Sequence, residues 1–178
     1  ENMKSVCVFC ASSNDIPAHF FKLASKLGEL MAKQGHQLVY GGAKVGLMNA
    51  VARSIQENGS KAIGVIPEFM DKHEKHDQLA DELIITQSMN ERKDVMFSRS
   101  DAFIVLPGGI GTFDEAIEAM TLKKLQLHSK PIVFVNPENF FGKLFELFDE
   151  VVKQGFCAAG YDKLYSVASS PEDALAQI

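Results

Sequence analysis

The 178-residue chain contains no apolar run near the ~20 residues a membrane-spanning helix needs, so no membrane partner is expected. It also has no surplus of positive charge. Lys and Arg number 18 against 23 Asp and Glu, a formal net charge of −5. A broad nucleic-acid footprint requires a dense Lys/Arg face, so no nucleic-acid partner is expected either. A small anionic ligand stays compatible, because a local site can be positive on an acidic protein. Internal repeats, low-complexity tracts and linkers are absent, and the residues fit one domain spanning 1–178. Residues 1–4 carry no signal-peptide pattern, which points to a cytoplasmic protein. Cysteine is scarce: Cys7, Cys10 and Cys157. The first two form a C-x-x-C inside the apolar run Val6-Cys7-Val8-Phe9-Cys10, which reads as a buried strand. An offset of three on a strand puts the two thiols on opposite faces, whereas a redox pair needs both at a helix start. Both are therefore expected to be packing residues.

What is present is the composition of a globular protein, 46% hydrophobic and 23% charged, in alternating strand-like and helix-like segments. Strands are expected over 5–11, 37–40, 62–66, 83–86, 102–106, 131–135 and 163–167. Helices are expected over 16–34, 45–58, 89–99, 110–127, 140–154 and 171–178, several ending at a glycine such as Gly35, Gly59 or Gly155. Residues 68–79 are polar and irregular and read as a loop or short turns. Runs such as Phe103-Ile104-Val105-Leu106 and Ile132-Val133-Phe134-Val135 are apolar at every position. Such strands are covered by helices on both faces, as in a mostly parallel sheet. The fold class is therefore α/β, a Rossmann-like doubly wound sheet, whose ligands bind beyond the carboxyl ends of the strands.

The strongest chemical signal lies at one of those ends. Leu106-Pro107-Gly108-Gly109-Ile110-Gly111-Thr112-Phe113-Asp114-Glu115 leaves an apolar strand and enters a helix. Glycines at Gly108, Gly109 and Gly111 let backbone N–H groups approach an oxyanion, Thr112 adds a hydroxyl, and the helix start adds partial positive charge. The segment reads as a phosphate cradle. It is neither a dinucleotide G-x-G-x-x-G nor a Walker loop, since no G-K-[ST] follows. Upstream, Met89-Asn90-Glu91-Arg92-Lys93 opens another helix. Arg92 and Lys93 are adjacent and so point in different directions: one can face the cleft while the other pairs with a neighbour. Glu115 and Glu118, one turn apart, share a face near the cradle, with Asp114 beside them. A carboxylate there can position or activate water, or stabilise an oxocarbenium ion. Gly41 and Gly42 form a second glycine-rich turn that contacts the ligand or lets a helix pack closely, and Ser12 and Ser13 either donate to the ligand or cap a helix. His73-Glu74-Lys75-His76 lacks the H-E-x-x-H spacing and a third ligand, so no metal is expected there.

Together these residues resemble the LONELY GUY family of cytokinin riboside 5′-monophosphate phosphoribohydrolases, long labelled possible lysine decarboxylases. The family's P-G-G-x-G-T-x-x-E stands complete as Pro107 to Glu115, its R-K pair as Arg92-Lys93, and its V-Y-G-G-G…G-L-M-G segment as Val39-Tyr40-Gly41-Gly42-Ala43 with Gly46-Leu47-Met48-Asn49. The resemblance implies a Rossmann-like homodimer that releases a free base and ribose 5-phosphate; such a hydrolysis requires no metal or redox cofactor, and none is expected. It implies Arg92 and Glu115 as the catalytic pair, Glu74 as a further substrate contact, and a partner subunit completing the site. The helix after the cradle is the expected contact surface. With Ser12, Ser13, Gly41, Gly42, Met89, Lys93, Asp114 and Glu118 these make up the candidate site. Asn90, Ala43, Ala11 and Asn49 depart from the family's pattern; Asn90 and Ala43 leave cradle and pair intact and bear on base specificity, which leaves adenosine monophosphate as an alternative to a cytokinin nucleotide.

The decarboxylase label does not match the chemistry. It requires a lysine forming a Schiff base with pyridoxal phosphate and an acidic partner for the ring nitrogen, and Lys44, Lys93, Lys123 and Lys124 have no such context. A second reading is a non-catalytic nucleotide or molybdenum-cofactor carrier, because the same fold serves proteins of that kind. Here the Arg92 and Glu115 pair favours an enzyme. A phosphotransferase is disfavoured, because no metal-holding Asp or Walker lysine accompanies the loop.

Overall fold

The computed structural model describes residues 2–72 and 76–178. Seven parallel strands form one sheet in the order β4-β3-β2-β1-β5-β6-β7: β1 (Ser5–Phe9), β2 (Gln37–Tyr40), β3 (Ala62–Pro67), β4 (Glu82–Thr86), β5 (Ala102–Val105), β6 (Ile132–Val135) and β7 (Ser166–Ala168). Helices α1 (Ala18–Lys33), α2 (Gly46–Glu57), α3 (Glu68–Asp71), α4 (Met89–Ser98), α5 (Ile110–Lys124), α6 (Gly142–Lys153) and α7 (Pro171–Ala176) connect them. The doubly wound α/β reading is borne out.

The alternation of side chains along each strand divides the core in two. Val6 and Val8 of β1, with Leu38 and Tyr40, pack with Leu27 and Met31 of α1, Val51 and Ile55 of α2 and Leu175 of α7. Cys7 and Phe9, with Phe103 and Phe134, pack on the other face with Met96 and Phe97 of α4, Ala119 and Met120 of α5, and Phe148 of α6. Cys7 and Cys10 accordingly lie in opposite layers, both buried and free. The second layer is aromatic: Phe103 stacks on Phe9 at 5.6 Å, and Phe134 meets Phe141, Phe145 and Tyr165 edge-on at 5.1–5.4 Å. Emptying one of these ring sites costs ~3–5 kcal/mol.

Some element ends differ from expectation, each for a local reason. The polar stretch after β3 contains the one-turn helix α3. Pro67 is extended ahead of it, and Lys72 pairs with Glu68 at 3.0 Å. The last strand begins at Ser166 rather than 163, because Gly160, at φ 99°, starts a 3-10 turn over Tyr161–Lys163. Helix α5 stops without glycine. Gln126 takes φ 61°, and the Leu127 N–H closes on the Leu122 carbonyl at 3.0 Å, a Schellman-type end on a non-glycine residue.

Sheet order positions the site. From β1 the chain winds towards β2, and from β5 it winds towards β6, so the order reverses between β1 and β5. At their carboxyl ends the two following loops splay apart and leave a crevice. The loops are tied at the base: Leu106 N–H donates to the Phe9 carbonyl at 2.9 Å and Ala11 N–H to the Pro107 carbonyl at 3.1 Å.

Candidate active site

The crevice holds a cavity of about 190 Å³ lined by Cys10 and Ser12 after β1, Gly41 after β2, Met70 of α3, Arg92 of α4, and Gly109, Gly111, Thr112 and Glu115 at the start of α5. Helix α5 has Gly109 at its N-cap, and no side chain caps it. Its first N–H groups, which have no partner inside the helix, therefore open towards the crevice. Among the described residues nothing lies within 4 Å of where a Cβ of Gly109 or Gly111 would stand, whereas one on Gly108 would sit 2.0 Å from Thr112 Oγ1. Gly108 thus permits the buried Thr112 to pack beneath the loop, and the space in front of the helix start is free for an anion.

Arg92 is placed with unusual definition for a long side chain. Helix α4 begins at a cap in which the Ser88 hydroxyl accepts from Glu91 N–H at 3.1 Å and the Glu91 carboxylate accepts from Gln87 N–H at 2.6 Å. One residue on, the Arg92 side chain runs back to the strand ends. Nε donates to the Val65 carbonyl at 2.9 Å, Nη2 donates to the Gly41 carbonyl at 2.5 Å, and Nη1 lies 3.8 Å from Met89 Sδ. A Cβ on Gly41 would stand 2.3 Å from Nη2, so the guanidinium can reach that carbonyl only past a glycine. Arg92 is 7% exposed, and burial lowers its pKa. It stays charged nonetheless.

Glu115, one turn into α5, faces the same cavity. Loss of hydration is the largest influence on its carboxyl and pushes the pKa up to about 7 against the pull of Arg92, with Asp114 and Glu118 adding to the rise. A carboxyl poised near neutrality beside a fixed guanidinium can exchange a proton with a bound water or hydroxyl in either direction.

The remaining candidates divide. Lys93 does not join Arg92. Its ammonium lies 3.1 Å from Asp114 and 2.5 Å from Glu118, tying α4 to α5 beside the cavity. This pairing raises its pKa. Glu115 and Glu118 both face α4, one towards Arg92 and the other onto Lys93. Ser13 accepts from Asp15 N–H at 3.1 Å and lines a separate apolar cavity with Ile16, Phe20 and Phe140. Gly42 turns away, at φ 73°, and its carbonyl accepts from Asp77 N–H. Met89 is half-exposed at the start of α4. Glu74 lies outside the described residues, as do His73 and Lys75. Val8, Cys10, Met48 and Met70 also line the cavity, outside the candidate set. Strand alternation gives no sign of the first two, and Met70 sits in the stretch read as loop. Among the described residues no cluster of three or more His, Cys, Asp or Glu is arranged for a metal ion, and no helix is long and apolar enough to cross a membrane.

Fold and site together define a class: a Rossmann-like α/β protein with an uncapped, glycine-fronted helix start, and with a buried arginine and a partly buried glutamate facing one cavity at the switch point. Residues 48–178 match the family described as possible lysine decarboxylase. The chain is 41% identical over 173 residues to the cytokinin riboside 5′-monophosphate phosphoribohydrolase of Mycobacterium tuberculosis, covering 96% of this chain and 91% of that one. It is 35% identical over 175 residues to a probable enzyme of the same name from Oryza sativa subsp. japonica (98% and 71% covered), and 34% identical over 156 residues to one from Arabidopsis thaliana (88% and 73%). The chain belongs to this family, and the resemblance read from its motifs is borne out. Among solved structures, the molybdenum cofactor carrier protein of Chlamydomonas reinhardtii superposes with a TM-score of 0.74 at 24% identity over 98% of this chain and 94% of that one. The molybdenum cofactor binding protein of Rippkaea orientalis superposes with 0.74 at 23%, over 98% and 94%. At such identities the likeness is one of fold.

Proposed function

We propose that this protein hydrolyses the N-glycosidic bond of a nucleoside 5′-monophosphate, a cytokinin riboside monophosphate or adenosine monophosphate, giving free base and ribose 5-phosphate. The observation that carries the reading is that buried Arg92 and partly buried Glu115 line one cavity with the open start of α5. The 5′-phosphate sits on the N–H groups of residues 109–112 and the Thr112 hydroxyl. Ser12 lies at the edge of the same cavity. Arg92 contacts phosphate or base and offsets charge as the C1′–N bond breaks, the electron pair leaving with the base. Glu115 binds a ribose hydroxyl or takes a proton from the attacking water. Lys93, Asp114 and Glu118 hold α4 and α5 in register. Well-placed electrostatic groups of this kind are worth ~3–4 kcal/mol each in the transition state.

The decarboxylase label in the family's description fits this site poorly. A Schiff-base lysine needs a lowered pKa, and Lys93, beside the cavity, is raised by two carboxylates.

Two further parts of the reading are a cytoplasmic location, consistent with three free cysteines, and a homodimer. On α5 and just after it, Ile110, Ile117, Leu125 and Leu127 are exposed at 81%, 39%, 61% and 70%, apolar surface that a second copy would cover.

The phosphate requirement is the first test. Adenosine monophosphate and adenosine are compared as substrates by chromatography of the released base. Loss of the 5′-phosphate should lower kcat/KM at least ~100-fold. Equal rates would remove the phosphate from the account. Tight nucleotide binding without base release would favour the carrier reading that the fold relatives suggest.

A further inference from the structure

Beyond the cavity, one buried carboxylate is tied to the turn that holds Arg92. Asp77 is 2% exposed, far from the usual setting of an aspartate. Its carboxylate accepts from the Tyr40 hydroxyl at 2.6 Å, from Leu79 N–H at 3.0 Å, and from the Arg53 guanidinium. Its own backbone N–H donates to the Gly42 carbonyl at 2.6 Å, and one residue earlier His76 forms an antiparallel bridge with Ala43. Segment 76–80 is thereby fastened to residues 40–43 by backbone and side chain together. Between Tyr40 and Gly42 stands Gly41, whose carbonyl accepts from Arg92 Nη2 at 2.5 Å.

We infer that Asp77 is a positioning residue: by anchoring Tyr40 and Gly42 it fixes the Gly41 carbonyl, and through it the direction of the Arg92 guanidinium in the cavity. Three features carry this. A turn of two glycines has little stiffness of its own, so the carbonyl between them needs anchorage on both sides, and Asp77 supplies both. The Tyr40 hydroxyl is a dependable donor, because burial and the neighbouring carboxylate push its pKa far above the ordinary phenol range. The carboxylate is compensated by Arg53, so its burial leaves no unpaired negative charge beneath the site. Among the described residues, the side-chain hydrogen bonds and ion pair of Asp77 go to Tyr40, Leu79 and Arg53, none of which lines the cavity. Its action is on the geometry of Arg92, and displacement of a catalytic group by about 1 Å is worth up to ~100-fold in rate.

The rate prediction rests on the phosphoribohydrolase reading, so the test has one arm that does not. In the first arm, kcat/KM for nucleotide hydrolysis is measured in Asp77→Ala, Arg92→Ala and the double variant. Asp77→Ala should lose roughly 10- to 100-fold, mostly in kcat, and should cost less than about 2-fold further once Arg92 is gone. Losses that multiply would show that Asp77 acts independently of Arg92 and would overturn the inference, as would a wild-type rate in Asp77→Ala. Tyr40→Phe, which removes one anchor and keeps the ring, gives the same comparison in a milder variant should Asp77→Ala not fold. The second arm follows exchange of the Arg92 guanidinium protons by 15N NMR in protein without nucleotide. Exchange roughly tenfold faster in Asp77→Ala or Tyr40→Phe is expected, and unchanged exchange overturns the inference. If no variant, wild type included, releases base, the hydrolase reading fails and the exchange arm alone decides.

Discussion

Glu115→Gln should make the protein more stable and nearly inactive at the same time, by an amount that depends on pH. In the folded chain the Glu115 carboxyl titrates at about 7, against an ordinary 4.5. A carboxyl whose folded pKa is raised is held more tightly as the neutral acid. Its ionisation therefore costs nothing below the unfolded pKa, costs progressively more as pH rises from 4.5 to 7, and costs the full amount above 7. At ~1.4 kcal/mol per unit the full shift corresponds to roughly 3 kcal/mol. The carboxylate faces a cavity open to solvent, so the expected penalty is nearer ~1–2 kcal/mol. Glutamine keeps the shape and removes the charge. Thermal unfolding of both proteins from pH 5 to pH 8 should show the variant melting ~3–6 °C higher at pH 8, with the gap closing towards pH 5. In the same samples hydrolysis should fall at least ~100-fold, while wild-type kcat/KM rises through pH 7 as the carboxylate forms. A variant that melts at or below wild type at pH 8, or a gap independent of pH, would refute the assignment of Glu115 as a desolvated carboxylate. Near-wild-type turnover would refute its role.

Three other perturbations separate the parts of the site. Arg92→Lys should lose at least ~100-fold in rate despite keeping a positive charge, because one ammonium cannot span the Val65 and Gly41 carbonyls and still face the cavity; activity within tenfold of wild type would contradict this. Gly109→Asp places a carboxylate at the uncapped start of α5, where the backbone is extended and no atom of the described residues lies within 4 Å of the new Cβ. It should hold or raise the melting temperature as a helix cap does and raise KM for the nucleotide at least ~10-fold by occupying the anion site; an unchanged KM would place the phosphate elsewhere. Ile117→Glu, on the exposed face of α5, should yield monomers by light scattering if a second copy covers that face, and an unaltered mass would move the contact surface.

Much of the fold was legible in the sequence because its strands are apolar at every position. Phe103 to Leu106 and Ile132 to Val135 can be covered only by helices on both faces, and this gave the layer order and the place of the ligand crevice. Helix ends marked by glycine were equally clear. The exceptions were ends made by backbone geometry without that marker: Gln126 in a left-handed conformation, and the turn at Gly160 that delays β7. In the site, helical spacing indicated that Arg92 and Lys93 diverge and that Glu115 and Glu118 share a face. It did not indicate which carboxylate each cation meets, because that depends on the relative placement of α4 and α5. Contacts from distant segments left still less trace. Met70 comes from a stretch without periodicity, and Asp77 reads as one more acidic residue in a polar loop until the fold sets it under Tyr40.

Cleavage of a glycosidic bond in the cavity is directly measurable. The most direct measurement incubates purified protein with adenosine monophosphate and with isopentenyladenosine monophosphate and quantifies all products by chromatography. Free base and ribose 5-phosphate are expected in equal amounts from at least one of them, with the rate at least ~100-fold lower in Arg92→Ala and Glu115→Gln. Nucleoside and inorganic phosphate as products, or nucleotide recovered intact from folded protein that binds it, would rule out glycosidic cleavage at this site.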